Sequence, residues 1–153
     1  MPYLFLQPDY DALRDEIARI DAELRGVFAD TAVGTEQTSE TWHDNFLFEE
    51  GQRQLKMLGA RRAELAGILA HADVVEPAPP GACAHLGSRV VIRDETGTER
   101  AYRIGSYLIL ERAPDTVSYV SPLGALLFGA APGEERTAEI GGRKKTITVL
   151  RIA

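Results

Sequence analysis

Cysteine and histidine are scarce in this sequence of 153 residues, and their scarcity excludes several kinds of site. Cys83 is the single cysteine, which excludes an internal disulfide and a metal site built from cysteines. The three histidines, His43, His71 and His85, have no clustered acids at the spacing of metal ligands. The sequence therefore argues against a zinc hydrolase.

Long apolar runs and targeting signals are missing as well. No window approaches the roughly 18 consecutive apolar residues of a membrane span, and the N-terminus lacks the basic segment of a signal peptide. The sequence has no phosphate-binding loop, dinucleotide-binding glycine motif or nucleophile elbow. Because 44% of the residues are apolar, a folded core is nevertheless expected. We expect a soluble, cytoplasmic protein that does not bind membranes and is not a self-sufficient enzyme.

Charge is distributed unevenly along the chain. Residues 1–76 carry 15 acidic and 7 basic side chains, a net charge of −8, whereas residues 77–153 carry 8 acidic and 10 basic ones, a net charge of +2. The change coincides with the proline-rich segment Pro77-Ala78-Pro79-Pro80, which cannot continue a helix. We predict an N-terminal domain over 1–76, a linker over 77–83 and a C-terminal domain over 84–153. The acidic balance of the whole chain argues against sequence-specific DNA binding.

The N-terminal domain contains two apolar seams of helical spacing. The first comprises Tyr10, Leu13, Ile17, Ile20, Leu24 and Val27. The second comprises Phe48, Leu55, Leu58, Leu65, Leu69 and Ala72, with Arg62 at the seam position between Leu58 and Leu65. Alternating steps of three and four residues are typical of paired helices. We predict an antiparallel hairpin whose first helix ends near Asp30, with a break at Val33-Gly34-Thr35. The second helix would run from about Trp42 to Asp73, and the tip from about Glu36 to Asn45.

The C-terminal domain has the alternation and turn residues of an antiparallel sheet. The predicted strands are 87–93, 99–104, 106–110, 117–120, 137–140 and 145–152. Between the fourth and fifth of them, Ser121 is a favourable N-cap and Pro122 a favourable first residue for one short helix. Gly129 would close that helix, and Gly141-Gly142 would turn the last hairpin. The expected fold class is α+β.

These C-terminal motifs resemble those of the Gre transcription-elongation factors of bacteria. The family signature is matched by Gly87-Ser88-x-Val90, by Tyr102-x-Ile104 and by Ser118-x-x-Ser121-Pro122-Leu123-Gly124 with Ala125-Leu126-Leu127 and Gly129. The family's usual Gly-Asp turn appears as Gly133-Glu134. The resemblance covers nearly the whole chain. It implies an N-terminal antiparallel two-helix coiled coil followed by a C-terminal FKBP-like domain with one short helix.

The resemblance also implies bacterial RNA polymerase as the partner. The globular domain would dock outside the secondary channel, with Ser121, Pro122, Leu123 and Gly124 as the docking residues. The coiled coil would enter the channel and approach the 3′ end of the nascent RNA. In cleaving members of the family, acidic tip residues help polymerase to hold a second Mg²⁺ and to cut backtracked RNA. The protein would have no cofactor of its own and would act as a monomer.

The tip departs from the pattern of the cleaving members. Their Asp-x-x-Glu-Asn falls here on Thr41, Trp42, His43, Asp44 and Asn45. Thr41 replaces the first carboxylate by a neutral hydroxyl, which cannot attract a weakly held Mg²⁺. The interpretation is therefore a non-cleaving regulator of transcription elongation. The alternative is a cleavage-stimulating factor in which Asp44 and a second tip acid, Glu40, act on Mg²⁺ while bound to polymerase.

Several residues of this region have a second interpretation. Thr41 and Asp44 also fit a capping box at the start of the second helix. Trp42 and Phe46 are either seam residues or exposed contacts to a partner. The basic residues Arg53, Lys56, Arg61 and Arg62 are either solvated helix charges or contacts to RNA or polymerase. A prolyl isomerase and a dimeric coiled coil unrelated to polymerase are further alternatives.

Overall fold

The computed structural model describes residues 1–36, 42–111 and 113–153, and for 30–36, 42–45 and 47 it describes the backbone alone. The elements in chain order are β1 Tyr3–Phe5, α1 Gln7–Glu36, α2 Trp42–Ala70, β2 Ala72–Val74, β3 Arg89–Arg93, β4 Glu99–Gly105, β5 Thr116–Ser118, α3 Pro122–Leu127, β6 Glu135–Ile140 and β7 Arg143–Ile152. A helical hairpin thus precedes a domain built mainly of strands. The predicted α+β class is confirmed.

The chain divides into two compact units, each described here by itself. The hairpin unit is Leu13–His71, and the sheet unit is Met1–Ala12 together with Ala72–Ala153. This division differs from the predicted domains 1–76 and 84–153 with a linker over 77–83. The difference arises because β1 pairs in parallel with β2, a contact that the sequence pattern did not indicate.

In the hairpin unit, two long helices bury a short apolar seam. Leu13 and Leu65 are fully buried, Ile20 is almost so, and Ile17 is largely covered. The predicted break at Val33-Gly34-Thr35 is wrong, since α1 continues to Glu36. One glycine inside a helix costs only about 1 kcal/mol, which neighbouring turns can offset.

The sheet unit contains a five-stranded sheet in the order β5-β4-β3-β7-β6. Its strand pairs are antiparallel except β4 and β5, which are parallel. The predicted strand over 106–110 is wrong, and α2 ends at Ala70 rather than Asp73. Residues 106–110 form no strand, and Ser106 and Tyr107 bond to the N-terminal segment: Ser106 Oγ accepts from Leu6 N at 2.8 Å, and Tyr107 N donates to Leu4 O of β1 at 2.9 Å.

One face of this sheet and α3 enclose the hydrophobic core. The buried core residues are Ala84, Leu86, Val90, Ile92, Ile104, Leu126, Leu127, Ala130, Ile147 and Val149. The last hairpin turns at Gly141 and Gly142, with φ angles of 61° and 78°. Two successive positive φ angles are the requirement of the tight hairpin turn that glycine satisfies without strain. The predicted hairpin across Gly141-Gly142 is confirmed.

Candidate functional site

The segment from Ser118 to Gly124 forms a tight turn that starts α3. Ser121 is the N-cap, with φ −67° and ψ 157°, and its Oγ accepts a hydrogen bond from Gly124 N at 3.0 Å. The same hydroxyl donates to Ser118 O at 2.7 Å. Ser118 Oγ in turn donates to Tyr107 O at 3.0 Å. The two serines of the motif therefore close the turn and attach it to the loop that follows β4.

Gly124 is required by the close approach of the chain to itself. A Cβ at this position would overlap the carbonyl oxygen of Ser118. Gly124 is buried, and its own carbonyl accepts a hydrogen bond from Phe128 N at 2.9 Å at the end of α3. The Ser-x-x-Ser-Pro-x-Gly spacing thus specifies the local backbone of this turn.

Among the predicted docking residues, Pro122 is exposed, Leu123 and Ser121 are half-buried and Gly124 is buried. Next to them, Val120 is 51% exposed and was missed as a candidate. An exposed valine in a turn carries no sequence signal that distinguishes it from a buried strand residue. The surface open to a partner therefore consists of Val120 and Pro122 with part of Leu123. The docking role itself stays a prediction.

Aromatic side chains support this turn from the side. The ring centroids of Tyr119 and Phe128 lie 5.8 Å apart, and Phe128 meets His85 edge to face at 5.3 Å. The hydroxyl oxygen of Tyr119 accepts a hydrogen bond from Leu4 N at 3.1 Å. The turn is therefore connected both to the core and to the N-terminal segment of the sheet unit.

The predicted tip residues lie at the start of α2 and just before it. Glu40 and Thr41 lie outside the described residues, and of Trp42, His43, Asp44 and Asn45 the backbone alone is described, as the first turn of α2. The convergence of two carboxylates on Mg²⁺ at this tip stays a prediction.

Aromatic side chains are exposed toward this end of the hairpin helices. Phe46 is 60% exposed and Phe48 is 42% exposed on α2, and Phe28 is 67% exposed on α1. Large exposed aromatic side chains are typical of surfaces that contact a partner. The partner role of Phe46 stays a prediction.

The basic residues of α2 are mostly paired with acids of the hairpin unit. Arg53 pairs with Glu50 at 2.7 Å and Arg61 with Glu64 at 3.0 Å. Ion pairs at this spacing are typical of an exposed helix surface. The arrangement favours the interpretation of these side chains as helix charges over that of an RNA contact.

In the described part of the hairpin, an ion pair joins the two helices. Arg62 Nε donates to Asp21 Oδ1, and this hydrogen bond lowers the pKa of the Asp21 carboxyl below its ordinary value. Arg62 is thus engaged within the hairpin unit.

Within the described ranges, no three His, Cys, Asp or Glu side chains converge as metal ligands would. No described helix combines the length and the apolar character needed to cross a membrane.

Comparisons with known proteins agree with the resemblance seen in the sequence. Residues 79–153 match the family described as "Transcription elongation factor, GreA/GreB, C-term". The chain is 28% identical over 145 residues to transcription elongation factor GreA of Syntrophobacter fumaroxidans, covering 94% of this chain and 92% of that one. It is 27% identical over 150 residues to GreA of Roseiflexus castenholzii, covering 91% and 94% of the two chains.

A crystal structure of GreA factor homolog 1 from Thermus thermophilus is also similar. It is 20% identical, with a TM-score of 0.46 over 100% of this chain and 99% of that one. The family match lies in the sheet unit, and the two GreA relatives match over both the hairpin and the sheet unit. Together these sequence matches support a divergent factor similar to the Gre transcription elongation factors.

Proposed function

We propose that this protein binds bacterial RNA polymerase and regulates elongation by inserting its helical hairpin into the secondary channel, without efficient transcript cleavage. The observation that carries the proposal is the hairpin itself. Its helices have 30 and 29 residues, each about 45 Å long at about 1.5 Å per residue. Few of the described residues of the hairpin are buried. A long hairpin that buries so little is suited to reaching into a narrow passage rather than to forming a core.

The sheet unit would supply the docking surface outside the channel. Val120, Pro122 and Leu123 present apolar atoms on a turn that Ser121 and Gly124 hold rigidly. A preformed turn loses little conformational entropy on binding. The proposal gives Ser121 and Gly124 the task of shaping this surface and the other three residues the task of contacting polymerase.

The lack of efficient cleavage follows from the sequence of the tip. Catalysis by two metal ions needs ligands that hold both ions in place. Mg²⁺ prefers carboxylate oxygens, and Thr41 offers a neutral hydroxyl at the position where the family resemblance implies an acid in cleaving members. With Asp44 alone, the protein would occupy the channel and slow nucleotide entry or compete with cleaving factors. It would not be an enzyme in its own right.

The second candidate function is stimulation of RNA cleavage by polymerase. Glu40 lies next to Thr41 in the sequence, and it would supply the second carboxylate beside Asp44 if the turn brought them together. The polymerase would then share a Mg²⁺ ion with these two acids. This function requires convergence of Glu40 and Asp44, which the non-cleaving function does not.

A reconstituted backtracked elongation complex separates the two functions. RNA cleavage and nucleotide addition are followed in the same samples with wild type, Asp44→Ala and Glu40→Gln, with Glu64→Gln as a control on the helix surface. Slower addition without cleavage supports the proposal. Cleavage that is lost with Asp44→Ala and Glu40→Gln but kept with Glu64→Gln would establish the second function. Absence of any binding to polymerase would overturn both.

A further inference from the structure

The five-stranded sheet has a second face that α3 does not cover. Val90 and Ile92 of β3 point into the core, so Arg89, Val91 and Arg93 point to the opposite face. On the neighbouring strand β4, the residues at the same level on that face are Arg103, Ala101 and Glu99.

On this face, the residues of β6 and the residues of β7 that lie opposite them are complementary. Thr137 and Thr146 share a hydrogen bond of 3.0 Å between their hydroxyl oxygens. Glu139 lies opposite Lys144, a pair of opposite charges. Such partners stabilise a sheet, whereas like charges directly opposite each other destabilise it.

The β3 and β4 pair contains one complementary pair and one repulsive pair. Arg93 lies opposite Glu99, and the two side chains form an ion pair at 3.4 Å. Arg89 lies opposite Arg103, so two guanidinium groups share the other end of the same strand pair. Both arginines are exposed. A charge arrangement that is unfavourable within the chain becomes favourable when an anion lies between the two groups.

Arg151 extends this positive surface onto β7. It lies opposite Val91 and is exposed. A depression of about 410 Å³ lies beside these side chains. Its lining residues are Arg89, Val91, Glu99, Arg100, Ala101, Arg151 and Ala153, so three arginines and one glutamate surround it. Among the described residues, no ion pair joins Arg89, Arg103 or Arg151 to a carboxylate. We name these three residues the basic sheet face.

We propose that the basic sheet face binds an acidic segment of a partner protein. A guanidinium group matches the geometry of a carboxylate through two parallel hydrogen bonds. The three arginines lie on the adjacent strands β4, β3 and β7, which are about 4.8 Å apart. Several carboxylates of one segment can therefore each meet an arginine.

The composition of the face favours a protein segment over a nucleic acid. Sheets that bind single-stranded nucleic acids stack bases on exposed aromatic rings. Among the described residues of β3, β4 and β7 that point to this face, none is aromatic. The apolar residues of this face are small: Ala101 is half-buried and Val91 is buried, so the exposed groups are the charged side chains.

The experiment uses the full chain and two probes of equal net charge. One is a peptide of alternating glutamate and serine, and the other is an oligouridylate RNA. Binding is measured by fluorescence anisotropy, and amide shifts by heteronuclear NMR locate it. The test variant is Arg103→Glu, which places an acid opposite Arg89 and so favours folding. The control is Arg143→Glu, which makes the same charge change at an exposed position of β7.

We expect the peptide to shift the amides around Arg89, Arg103 and Arg151. Arg103→Glu should weaken peptide binding about tenfold or more, because the side chain at position 103 then repels the carboxylates of the peptide instead of attracting them. Arg143→Glu should leave binding within about twofold, since surface charges act weakly at a distance. Preferential binding of the RNA, equal losses with both variants, or no binding of either probe would each overturn the proposal. So would self-association that Arg103→Glu abolishes, because the occupant would then be a second copy of this chain. None of these outcomes depends on polymerase.

Discussion

Ser106 donates its hydroxyl proton to Asp9 Oδ2 at 2.5 Å, although the two residues are 97 positions apart in the sequence. Ser106 is fully buried, and its Oγ also accepts the hydrogen bond from Leu6 N. One hydroxyl thus fastens the end of the N-terminal segment and the first turn of α1 to the loop after β4. The three residues all belong to the sheet unit.

Removal of this hydroxyl should destabilise the sheet unit. Ser106→Ala leaves Leu6 N without its acceptor and the Asp9 carboxylate without its donor, at a cost of about 1–3 kcal/mol. Urea unfolding of Ser106→Ala, Asp9→Ala and the double variant measures the coupling between the two side chains. If the two single effects add within about 0.3–0.5 kcal/mol, the residues act independently and the prediction is contradicted.

The glycine of the Ser-Pro motif should not tolerate a side chain. Gly124→Ala forces a methyl group into the Ser118 carbonyl, which should cost about 1–3 kcal/mol in the free energy of unfolding. Gly67→Ala is the matched control, because the added Cβ in α2 has no atom within 4 Å beyond its chain neighbours and the backbone of its own helix turn. That control should stabilise the chain by about 0.5–1 kcal/mol. Equal effects of the two changes, measured by urea unfolding, would contradict this account of the motif.

The Arg62–Asp21 pair should make the stability of the hairpin unit depend on pH. Since the hydrogen bond from Arg62 lowers the pKa of Asp21, the carboxylate contributes stability above its unfolded pKa of about 3.9. This contribution is lost as the pH falls through the lower, folded pKa. Arg62→Met should therefore lower the unfolding midpoint near neutral pH and have little effect in acid.

Carbon-detected NMR titration provides the direct reading of the Asp21 carboxyl. In Arg62→Met, the pKa of Asp21 should rise toward its ordinary value. Arg53→Met, which removes only the pair with Glu50, should leave the pKa of Asp21 where it is. A pKa of Asp21 that stays low in Arg62→Met would show that another group holds it there.

The repulsive pair on the sheet predicts a variant that gains stability. Arg103→Glu removes the repulsion between two like charges and creates an opposite-charge pair like that of Arg93 and Glu99. The free energy of unfolding should rise by about 0.2–1 kcal/mol. Thermal unfolding at low and high salt measures it, and the gain should shrink in salt because exposed charges are screened. A loss of stability in Arg103→Glu would mean that Arg89 and Arg103 do not repel each other as their register requires.

The exposed part of the α3 turn predicts a variant that affects binding alone. Val120→Glu places a charge on the apolar docking surface and should weaken the affinity for RNA polymerase about tenfold. The thermal midpoint should change little, because the side chain is exposed. Val74→Glu, an exposed valine of β2, is the control and should leave the affinity unchanged. Equal affinity of Val120→Glu and wild type for polymerase would remove this turn from the docking surface.

Several features could be predicted because their contacts are local in the sequence. The start of α3 was identified from Ser121 and Pro122, since the cap bonds close within three residues. The hairpin across Gly141 and Gly142 followed from two residues that accept positive φ angles. The helical hairpin followed from apolar residues at alternating steps of three and four, the repeat that a long amphipathic helix displays. The predicted break at Gly34 was wrong because the low helix propensity of one glycine was considered alone. The neighbouring helical turns outweigh it.

The resemblance to the Gre factors, the α+β class and the short helix of the sheet unit were thus determined by the sequence itself. The tertiary structure alone decided which distant segments pair: β1 with β2, β5 in parallel with β4, and Ser106 with Asp9. It also decided that Arg89 and Arg103 face each other, because a shift of one residue in strand register would turn one of them toward the core. Such pairings depend on the summed burial of the whole sheet, which no local pattern of residues encodes.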